Sequence, residues 1–483
     1  MIAVAALAAA LPVAAVLLLL RPPASDEAVP LSRAIAVSLA IGIGLGLSSY
    51  LFFCSLVMFD GTTPAVVALD AGGLLIVAAL WWRRRIVATP SAARRASSPA
   101  RSQPKKAARS HRHVSPSWTA TDRALAVAVG FAVITAAAAF TANILIAPHG
   151  DWDAWAIWNL RARALFRARP DWSLAFAKHA VHLDYPLLLP GVIARLWIYR
   201  GEADAWIPAA VAASYAAALT LLLFGAVAEL RGRTAGFVAS LCLLGTPVFL
   251  RDAPRQYADT PLAFYFLAAL TLIALWDRYP ERGNSPLVWA GVAAGFAAWT
   301  KNEGILVVLC LVVANSAVRL AKRTSPATLR PLLLFALGLL PAAVALAYFK
   351  TVWASTNDLV RQPLTDMIPR AIQPLRYGLV LREIGRDSVH SIGALLVGMV
   401  VYAVLLGLTA DRSARRVGLY PLLTVTLVAA GYGAVYILMT GSVVRYMQLS
   451  IDRLVLQLWP SVLFVVFLFL ASPSESRTNW LGS

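Results

Sequence analysis

Carboxylates, histidines and tryptophans are concentrated in one polar stretch, residues 149–190, which lies between two apolar runs. Asp151 and Asp153 are near its start, and His182 and Asp184 are near its end. A connection of about forty residues is far longer than the two to eight that usually join packed helices. Aspartate and histidine are side chains that enzymes use for proton transfer. We therefore expect this stretch to carry chemistry as well as to connect helices.

The first candidate site is Asp151-Trp152-Asp153, directly after an apolar run. A carboxylate at a membrane surface, beside Trp152 and Trp155, would be partly desolvated, which favours proton uptake and suits a general base. The alternative is a solvated acidic loop whose tryptophans form an ordinary interfacial belt.

The second candidate is His182-Leu183-Asp184-Tyr185-Pro186. Pro186 disfavours helical backbone at Tyr185, so an extended segment is expected. His182 and Asp184, two residues apart in such a segment, would then point to the same side. This arrangement suits a proton-handling pair, or contact of His182 with a phosphate. The alternative is a turn that opens a helix and leaves the histidine solvated.

A third candidate lies between two later apolar runs, where Arg251 and Arg255 precede Asp259. The arginines could neutralise a lipid phosphate. Asp259 is placed at the start of a helix, where the macrodipole favours an anion. Simple helix capping by Asp259 is the alternative.

Two further polar breaks carry charge. Lys301 and Glu303 separate two apolar runs, and Lys301 there could meet a phosphate. The alternative is a tight helical hairpin in which both side chains extend to the membrane surface. The segment Arg445–Arg453 precedes the last apolar run and could bind a donor phosphate or an acceptor, although a solvated face is the favoured interpretation.

The composition places these residues in a membrane protein. Of the 483 residues 59% are hydrophobic and 14% charged, and the mean hydropathy is +0.70. Continuous apolar runs recur, whereas a transmembrane β-barrel would alternate apolar and polar residues. We predict an all-α integral membrane protein, a polytopic bundle of about 13 transmembrane helices with an outer-face catalytic loop that contains juxtamembrane helices.

The apolar run at 187–199 is too short to cross comfortably, so we expect a juxtamembrane or re-entrant helix there. The longer runs that we expect to cross the membrane are 3–20, 34–58, 64–82, 123–146, 206–228, 234–250, 259–276, 286–300, 304–319, 329–349, 392–410, 417–439 and 454–471.

The net charge of +19 is distributed as membrane topology requires, and it does not indicate a nucleic-acid partner. Much of this positive charge lies in Arg83–Arg123, a segment whose composition indicates a solvated linker or a segment that rests on anionic lipid headgroups. If every run from 206 onward crosses once, one side, expected to be cytoplasmic, receives Arg231–Arg233, Arg278–Arg282, Arg319–Arg330 and Arg412–Arg416. The outer face then receives the polar stretch, Arg251–Ala258, Lys301–Glu303, Lys350–Ser391 and Thr440–Arg453.

These features divide the chain into four parts. We expect a three-helix transmembrane unit at 1–82, a basic cytoplasmic linker at 83–122, a transmembrane catalytic core at 123–471 and a tail at 472–483. The first run lacks a preceding basic region, so it is expected to be an uncleaved span. The three cysteines fall inside apolar runs and indicate neither a disulfide framework nor a zinc site.

The order of these motifs resembles the GT-C superfamily of polyprenyl-phosphate-sugar-dependent glycosyltransferases. The most similar branches are the bacterial relatives of dolichyl-phosphate-mannose protein mannosyltransferases and of lipid A aminoarabinose transferases. The resemblance covers about residues 123–320 well and the later spans loosely. It rests on four motifs, in this order: Asp151-Trp-Asp153, His182-Leu-Asp-Tyr-Pro186, Tyr257-Ala-Asp259-Thr-Pro261 and Gly295-Phe-Ala-Ala-Trp-Thr-Lys301.

The resemblance implies an active site in the first large outer loop, with an aspartate as base in an inverting transfer. Asp153 matches this base best, followed by Asp151. Asp259 matches a second acidic residue that the family places near the site, and Lys301 matches a lysine in the family's Thr-Lys-Gly-like turn. The chain departs from the family pattern at Ala154, Leu187, Asn302 and Glu303.

The hypothesis that follows is a membrane glycosyltransferase at the extracytoplasmic face of a bacterial-type plasma (inner) membrane. The donor would be a polyprenyl-phosphate-linked sugar and the acceptor a hydroxyl of a lipid, glycan or protein. Arg255, Lys301 and His182 would stabilise the leaving phosphate, while Asp184 and Tyr185 would complete the substrate site. No cofactor is predicted, and a divalent cation is left open. The alternatives are a transporter or flippase for lipid-linked sugars and a non-catalytic membrane scaffold.

Overall fold

The computed structural model describes residues 2–20, 31–88, 118–167, 171–176, 182–321, 329–357 and 361–472. Regular structure in these ranges is helical, and their β-pairing is limited to an isolated antiparallel bridge between Leu408 and Leu470. Among them, ten helices are long and apolar enough to cross a membrane, or up to eleven if a bent pair counts as one span. The chain is an all-α polytopic membrane protein, as its continuous apolar runs predict.

The α-helices in chain order are α1 (Ile2–Leu20), α2 (Arg33–Phe59), α3 (Thr63–Ala88), α4 (Ala120–Ile146), α5 (Asn159–Arg167), α6 (Leu188–Arg200), α7 (Trp206–Arg231), α8 (Arg233–Leu244), α9 (Pro247–Asp252), α10 (Asp259–Arg278), α11 (Ser285–Thr300), α12 (Asn302–Ala321), α13 (Leu329–Val352), α14 (Leu364–Ala371), α15 (Pro374–Leu406), α16 (Arg412–Leu438) and α17 (Val443–Phe469). A π-helix spans Ala154–Trp158, and short 3₁₀ helices span Trp172–Phe176, Ala253–Arg255 and Pro280–Arg282.

Four of the expected spans differ from the predicted single straight crossings. The run 234–250 is divided into α8 and α9, which are bent by 61° at Gly245–Thr246. Pro247 can begin the new helix because its missing N–H is not needed in a first turn. The α11 helix has 16 residues, and α12 belongs to the shorter apolar helices. The α15 helix starts at Pro374, so it extends well before the predicted run 392–410. Thirteen spans therefore stay a prediction.

One end of the bundle, called here the basic end, collects the basic connections that follow α7 and α10. Glu229 near the end of α7 forms an ion pair with Arg282 and accepts a hydrogen bond from the Ser32 amide at 3.2 Å. Arg231 donates to the carbonyl of Leu470 at 2.9 Å. These contacts place the connections after α7 and α10 at the same end of the bundle. The gathering of all four basic connections on one side of the membrane stays a prediction. Residues 322–328 of the Arg319–Arg330 connection lie outside the described ranges.

The N-terminal helices pack into the main bundle and share its hydrophobic core. Ser38 in α2 donates to the carbonyl of Ala218 in α7 at 2.7 Å, and Ser49 donates to the carbonyl of Leu187 at 3.1 Å. Gly42 permits a close approach of α2 to α10, because a Cβ there would lie 1.9 Å from the ring of Phe264. The predicted three-helix unit is therefore an integral layer of the bundle. The linker residues 89–117 are outside the described part of the chain.

The short helix α6 is anchored by a buried ion pair. Arg195 binds Asp70 of α3 at 2.7 Å and donates to Ser48 at 2.8 Å and to the carbonyl of Ala8 at 3.2 Å. Tyr199 also donates to Asp70. Thirteen residues rise about 20 Å, less than the ~30 Å hydrocarbon core. The predicted juxtamembrane or re-entrant position of this helix stays a prediction, but its attachment to α1, α2 and α3 is clear.

Candidate functional site

The end of the bundle opposite the basic end holds a cluster of charged side chains, called here the charged end. At its centre Lys301 binds Asp259 at 3.1 Å and Glu303 at 2.8 Å. Asp259 begins α10, as predicted, and Gln457 donates to the same carboxylate oxygen at 2.5 Å. The side chains of Lys301 and Asp259 are only 5% and 2% exposed, so the alternative in which Lys301 extends to the membrane surface is wrong.

The backbone between α11 and α12 explains how Lys301 reaches this position. Lys301 is extended, which turns its side chain inward from the break between the two helices. Gly304, in the first turn of α12, lets this helix pack closely against α11, because a Cβ there would lie 1.8 Å from the carbonyl oxygen of Ala297. Burial lowers the pKa of Lys301, but the charges of Asp259 and Glu303 outweigh it and raise this pKa well above the usual lysine value. The lysine is therefore held as a cation.

Asp153 forms an ion pair with Arg453 of α17. Its backbone N–H donates to the hydroxyl of Tyr257 at 3.4 Å, and the Arg453 guanidinium lies 6.0 Å from the centre of the Tyr257 ring. Arg453 interacts electrostatically with Asp259 as well as with Asp153, so it joins the Asp153 loop to the Asp259–Lys301 pair. The expectation of a solvated face is wrong for Arg453, whose side chain is 21% exposed.

The chain changes helix type directly after Asp153, which is the cap of the π-helix Ala154–Trp158. π-Helical turns are rare, and they often occur at functional sites. Gly150 makes the preceding turn with φ +76°, where a Cβ would lie 2.6 Å from the carbonyl oxygen of Arg255. The Asp151–Asp153 segment is therefore fitted closely onto the Arg255 backbone.

Asp151 belongs to a second row of alternating charges beside the first. Arg255 binds Asp151 at 3.0 Å and Asp252 at 2.9 Å, and Arg251 binds Asp252 at 2.8 Å and Asp452 at 2.5 Å. Because Asp452 and Arg453 are consecutive, this row meets the Asp153 pair on α17. Asp151 is the more exposed of the two aspartates, at 47% against 16% for Asp153.

The predicted His182–Asp184 pair is wrong. His182 has a left-handed backbone with φ +53°, and residues 182–184 form a turn that leaves His182 exposed and buries Asp184. The buried guanidinium of Arg161 supports this turn by donating to the carbonyls of His182 at 2.7 Å and Tyr185 at 2.9 Å. Burial lowers the pKa of Arg161 to about 10. The side chains of His182 and Asp184 therefore do not share a face.

Asp184 ties the end of the loop to the neighbouring helices. Its carboxylate accepts hydrogen bonds from Asn302 at 2.5 Å and Asn357 at 2.8 Å. Lys350 donates to the Asp184 carbonyl at 2.5 Å and to the Asn302 side chain at 2.6 Å. The sequence interpretation did not identify Lys350 or Asn357, since no local pattern relates them to residue 184. Asp184 positions the loop and does not face His182.

Stacked rings connect this turn to the central pair. Tyr185 lies between His182 and Trp158, with centroid distances of 4.7 and 5.4 Å and nearly parallel planes. The Lys301 ammonium lies 5.7 Å from the centre of the Tyr185 ring. Burial, followed by the charge of Glu303, raises the pKa of Tyr185 above the usual tyrosine value. Beside the stack, the Nε1 atom of Trp158 is buried and has no hydrogen-bond partner.

An apolar groove opens between α4, α7 and α8 and has a volume of about 620 Å³. Along α4 it runs from Val129 to Thr141, a rise of about 18 Å. Its walls also include Leu250 and Ala253, which flank Arg251 in the sequence. The groove therefore leads to the segment that carries the second row of charges.

No three His, Cys, Asp or Glu side chains come together as a metal-binding group in the described ranges. Within the polar stretch, residues 168–170 and 177–181, which include His179, lie outside those ranges. Cys54, Cys242 and Cys310 are free thiols.

Comparisons of the chain with protein-family models, curated proteins and solved structures find no match. Five of the predicted site residues lie in the linked charge rows: Asp151, Asp153, Arg255, Asp259 and Lys301. Tyr185 lies beside these rows. In the turn that ends the loop, His182 is exposed and Asp184 is buried. The charged end thus brings a partly exposed carboxylate together with fixed cations and aromatic surfaces.

Proposed function

We propose that the chain is a membrane glycosyltransferase of the GT-C type, which transfers a sugar from a polyprenyl-phosphate donor to an acceptor hydroxyl with inversion. The observation that carries the proposal is the Asp153–Arg453 pair beside Asp259 and Lys301. It supplies a carboxylate that can accept a proton and cations that can hold a phosphate within one cluster.

Asp153 is the general base in this mechanism. The acceptor oxygen forms a bond to the anomeric carbon as the bond from that carbon to the phosphate oxygen breaks. The hydroxyl proton moves to Asp153, and the electron pair leaves with the lipid phosphate. A phosphate is a weak base, so its departure needs charge stabilisation more than it needs a proton.

Arg453 and Arg255 are better suited than Lys301 to bind the leaving phosphate. Their side chains are 21% and 32% exposed, whereas Lys301 is buried between two carboxylates. Arginine can bind phosphate oxygens with two parallel hydrogen bonds. Lys301 instead stabilises the Asp259 carboxylate, and fixed charges of this kind favour the transition state because they need no rearrangement. His182 is exposed, so its proposed contact with the phosphate would lie at the rim.

The apolar groove between α4, α7 and α8 suits the polyprenyl chain of the donor. The helices that form the groove are apolar enough to lie in a bilayer, and the walls of the groove are almost entirely apolar. A chain lying in it and ending near Ala253 would bring its phosphate to Arg255, two residues away. The donor phosphate and the base would then meet at the charged end.

The proposed location is the plasma (inner) membrane of a bacterial-type cell, with the charged end towards the periplasm or exterior. Arginine-rich connections favour the cytoplasmic side, and these are at the opposite end of the bundle. Partners in this proposal are a polyprenyl-phosphate sugar, a lipid, glycan or protein acceptor, and membrane lipids. Thirteen crossings would require α11, α12 and the bent pair α8–α9 each to span the bilayer.

A flippase for lipid-linked sugars is the second candidate, because a groove along the bilayer depth could also guide a lipid headgroup between leaflets. Purified protein in proteoliposomes, supplied with polyprenyl-phosphate hexoses and pentoses plus a membrane extract as acceptor source, separates the two. Mass spectrometry should detect sugar on a new acceptor and release of polyprenyl phosphate. Lipid translocation without transfer would replace this proposal with the flippase, and neither result would reject both.

A further inference from the structure

A second cavity, called here the polar pocket, lies on the other side of Arg251 from the apolar groove. It has a volume of about 250 Å³ and lies between α9, α15 and α17. That volume suits a single sugar ring and excludes a folded polypeptide segment.

The walls of the polar pocket carry both signs of charge. The ionisable side chains in these walls are Arg251, Glu383, Arg386, Asp387, His390 and Asp452. Three carboxylates and two arginines nearly balance, so neither a phosphate nor a simple cation is strongly favoured. Carboxylates accept hydrogen bonds from hydroxyls, and guanidinium groups donate to hydroxyl oxygens. A neutral, hydroxyl-rich ligand can satisfy both.

Hydrogen bonds and an ion pair between the charged side chains of the polar pocket hold its walls in place. Asp387 accepts a hydrogen bond from Ser391 at 3.2 Å, and its carboxyl lies close enough to Asp452 to share a hydrogen bond. Asp452 in turn binds Arg251 of α9 at 2.5 Å. The three helices that form the pocket are therefore joined through the groups that would contact a ligand.

The polar pocket adjoins the proposed catalytic cluster. Asp452 lines the pocket, and the next residue, Arg453, binds Asp153. The segment Leu250–Ala253 separates the two cavities, since Arg251 lines the pocket while Leu250 and Ala253 line the apolar groove. A ligand in each cavity would approach the Asp153–Arg453 pair from a different side.

We propose that the polar pocket binds the sugar unit of the acceptor, so that the acceptor of this enzyme is a carbohydrate-bearing molecule. This inference rests on the proposed glycosyltransferase function. Its groups hold the ring of the acceptor sugar while one hydroxyl extends towards Asp153. The donor chain occupies the apolar groove on the opposite side of Arg251.

Direct binding tests the polar pocket without any need for turnover. Purified protein in nanodiscs is mixed with methyl glycosides of mannose, glucose, galactose and arabinose, and binding is read by saturation-transfer NMR. At least one glycoside should bind, and Asp387→Asn should reduce its signal at least five-fold. Asp366→Asn changes an exposed aspartate of α14 that does not line the pocket, so it should bind like the wild type.

A second variant tests the polar pocket independently, in case Asp387→Asn does not fold. Gln448 is an exposed residue at the rim of the polar pocket, so Gln448→Leu should fold normally and still weaken glycoside binding several-fold. When the acceptor is known, Asp387→Asn should raise the KM for acceptor about ten-fold and leave the KM for donor unchanged.

The outcomes separate the two proposals. Sugar transfer by a wild type that binds none of the glycosides would overturn the acceptor pocket and keep the transferase. Unchanged binding in both Asp387→Asn and Gln448→Leu would overturn it as well. Glycoside binding that depends on Asp387 in a protein without transfer activity would reject the transferase and leave a carbohydrate-binding pocket.

Discussion

Arg453 binds the carboxylate of Asp153 although 300 positions separate the two residues in the chain. The pair joins the loop after α4 to the last long helix, and Arg453 also interacts with Asp259. The carboxylate that we assign as base is therefore held by a guanidinium that can itself turn to a phosphate. If Arg453 binds the donor phosphate, its ion pair with Asp153 would weaken, and the Asp153 carboxylate would become able to accept a proton.

Replacement of Asp153 by asparagine should lower sugar transfer by about 10²–10⁴-fold, the usual contribution of a general base. The substitution keeps the size of the side chain and removes its ability to take up a proton. Asp171→Asn is the matched control, because Asp171 is an exposed aspartate in the same loop. Transfer is measured in proteoliposomes by product mass spectrometry, with a thermal melt to verify folding. Near-normal transfer by Asp153→Asn would remove this residue from the mechanism.

Loss of the buried Lys301–Asp259 pair should destabilise the protein. Lys301→Met leaves the Asp259 carboxylate without its lysine, and breaking a buried pair costs about 3–5 kcal/mol. Asp259→Asn combined with Lys301→Met should cost less than the sum of the single changes, because the two residues are in contact. Glu202→Gln disrupts an exposed pair with Arg200 and should cost only about 0–1 kcal/mol. Denaturant unfolding in detergent measures all four variants, and additive effects would contradict a direct interaction.

From neutral pH upward, the contribution of Lys301 to stability should change only where Lys301 itself loses its proton. Its pKa is raised in the folded protein, so its stabilising effect is complete below the unfolded pKa of about 10.4 and is lost as pH rises from there through the folded value. The stability difference between wild type and Lys301→Met should be constant from about pH 7 to 9.5 and shrink above about pH 10.5. Unfolding of both proteins is measured across this range. A difference that already falls between pH 7 and 9 would show that Lys301 is not held as a cation.

Filling the apolar groove should weaken use of the lipid donor. Ala136 lines the groove, and Ala136→Trp should raise the KM for a long-chain polyprenyl-phosphate sugar several-fold by removing space for the chain. Ala138, two residues along α4, does not line the groove, so Ala138→Trp is the control. The comparison is made with donors of long and short chain. An equal effect on both donors, or in both variants, would place the chain elsewhere.

The fold class and the positions of many helices could be predicted because hydrophobicity is a local property. The run 206–228 became α7, and the run 259–276 became α10 with Asp259 at its start. Alternating crossings then required the polar connections to gather at one end, which the ion pairs of that end bear out.

The errors have a common physical cause, which is that tertiary contacts override local preference. A left-handed backbone at His182 is unusual for a residue with a side chain, and the buried guanidinium of Arg161 supports the turn there. Arg453 looked like part of a solvated face because its partner Asp153 is distant in the chain. The attachment of α6 through Arg195 could likewise not be predicted from the hydrophobic pattern, because its partner Asp70 is distant in the chain.

The Arg195–Asp70 pair has a consequence for any shortened form of the protein. A chain that begins near residue 118 would keep Arg195 but lose Asp70, Ser48 and the carbonyl of Ala8. The guanidinium of Arg195 would then be a buried charge without these partners in an apolar core. We expect α6 to shift until this guanidinium contacts water. Since α6 follows the Asp184 turn directly, trimming the N-terminus would damage the substrate site from a distance.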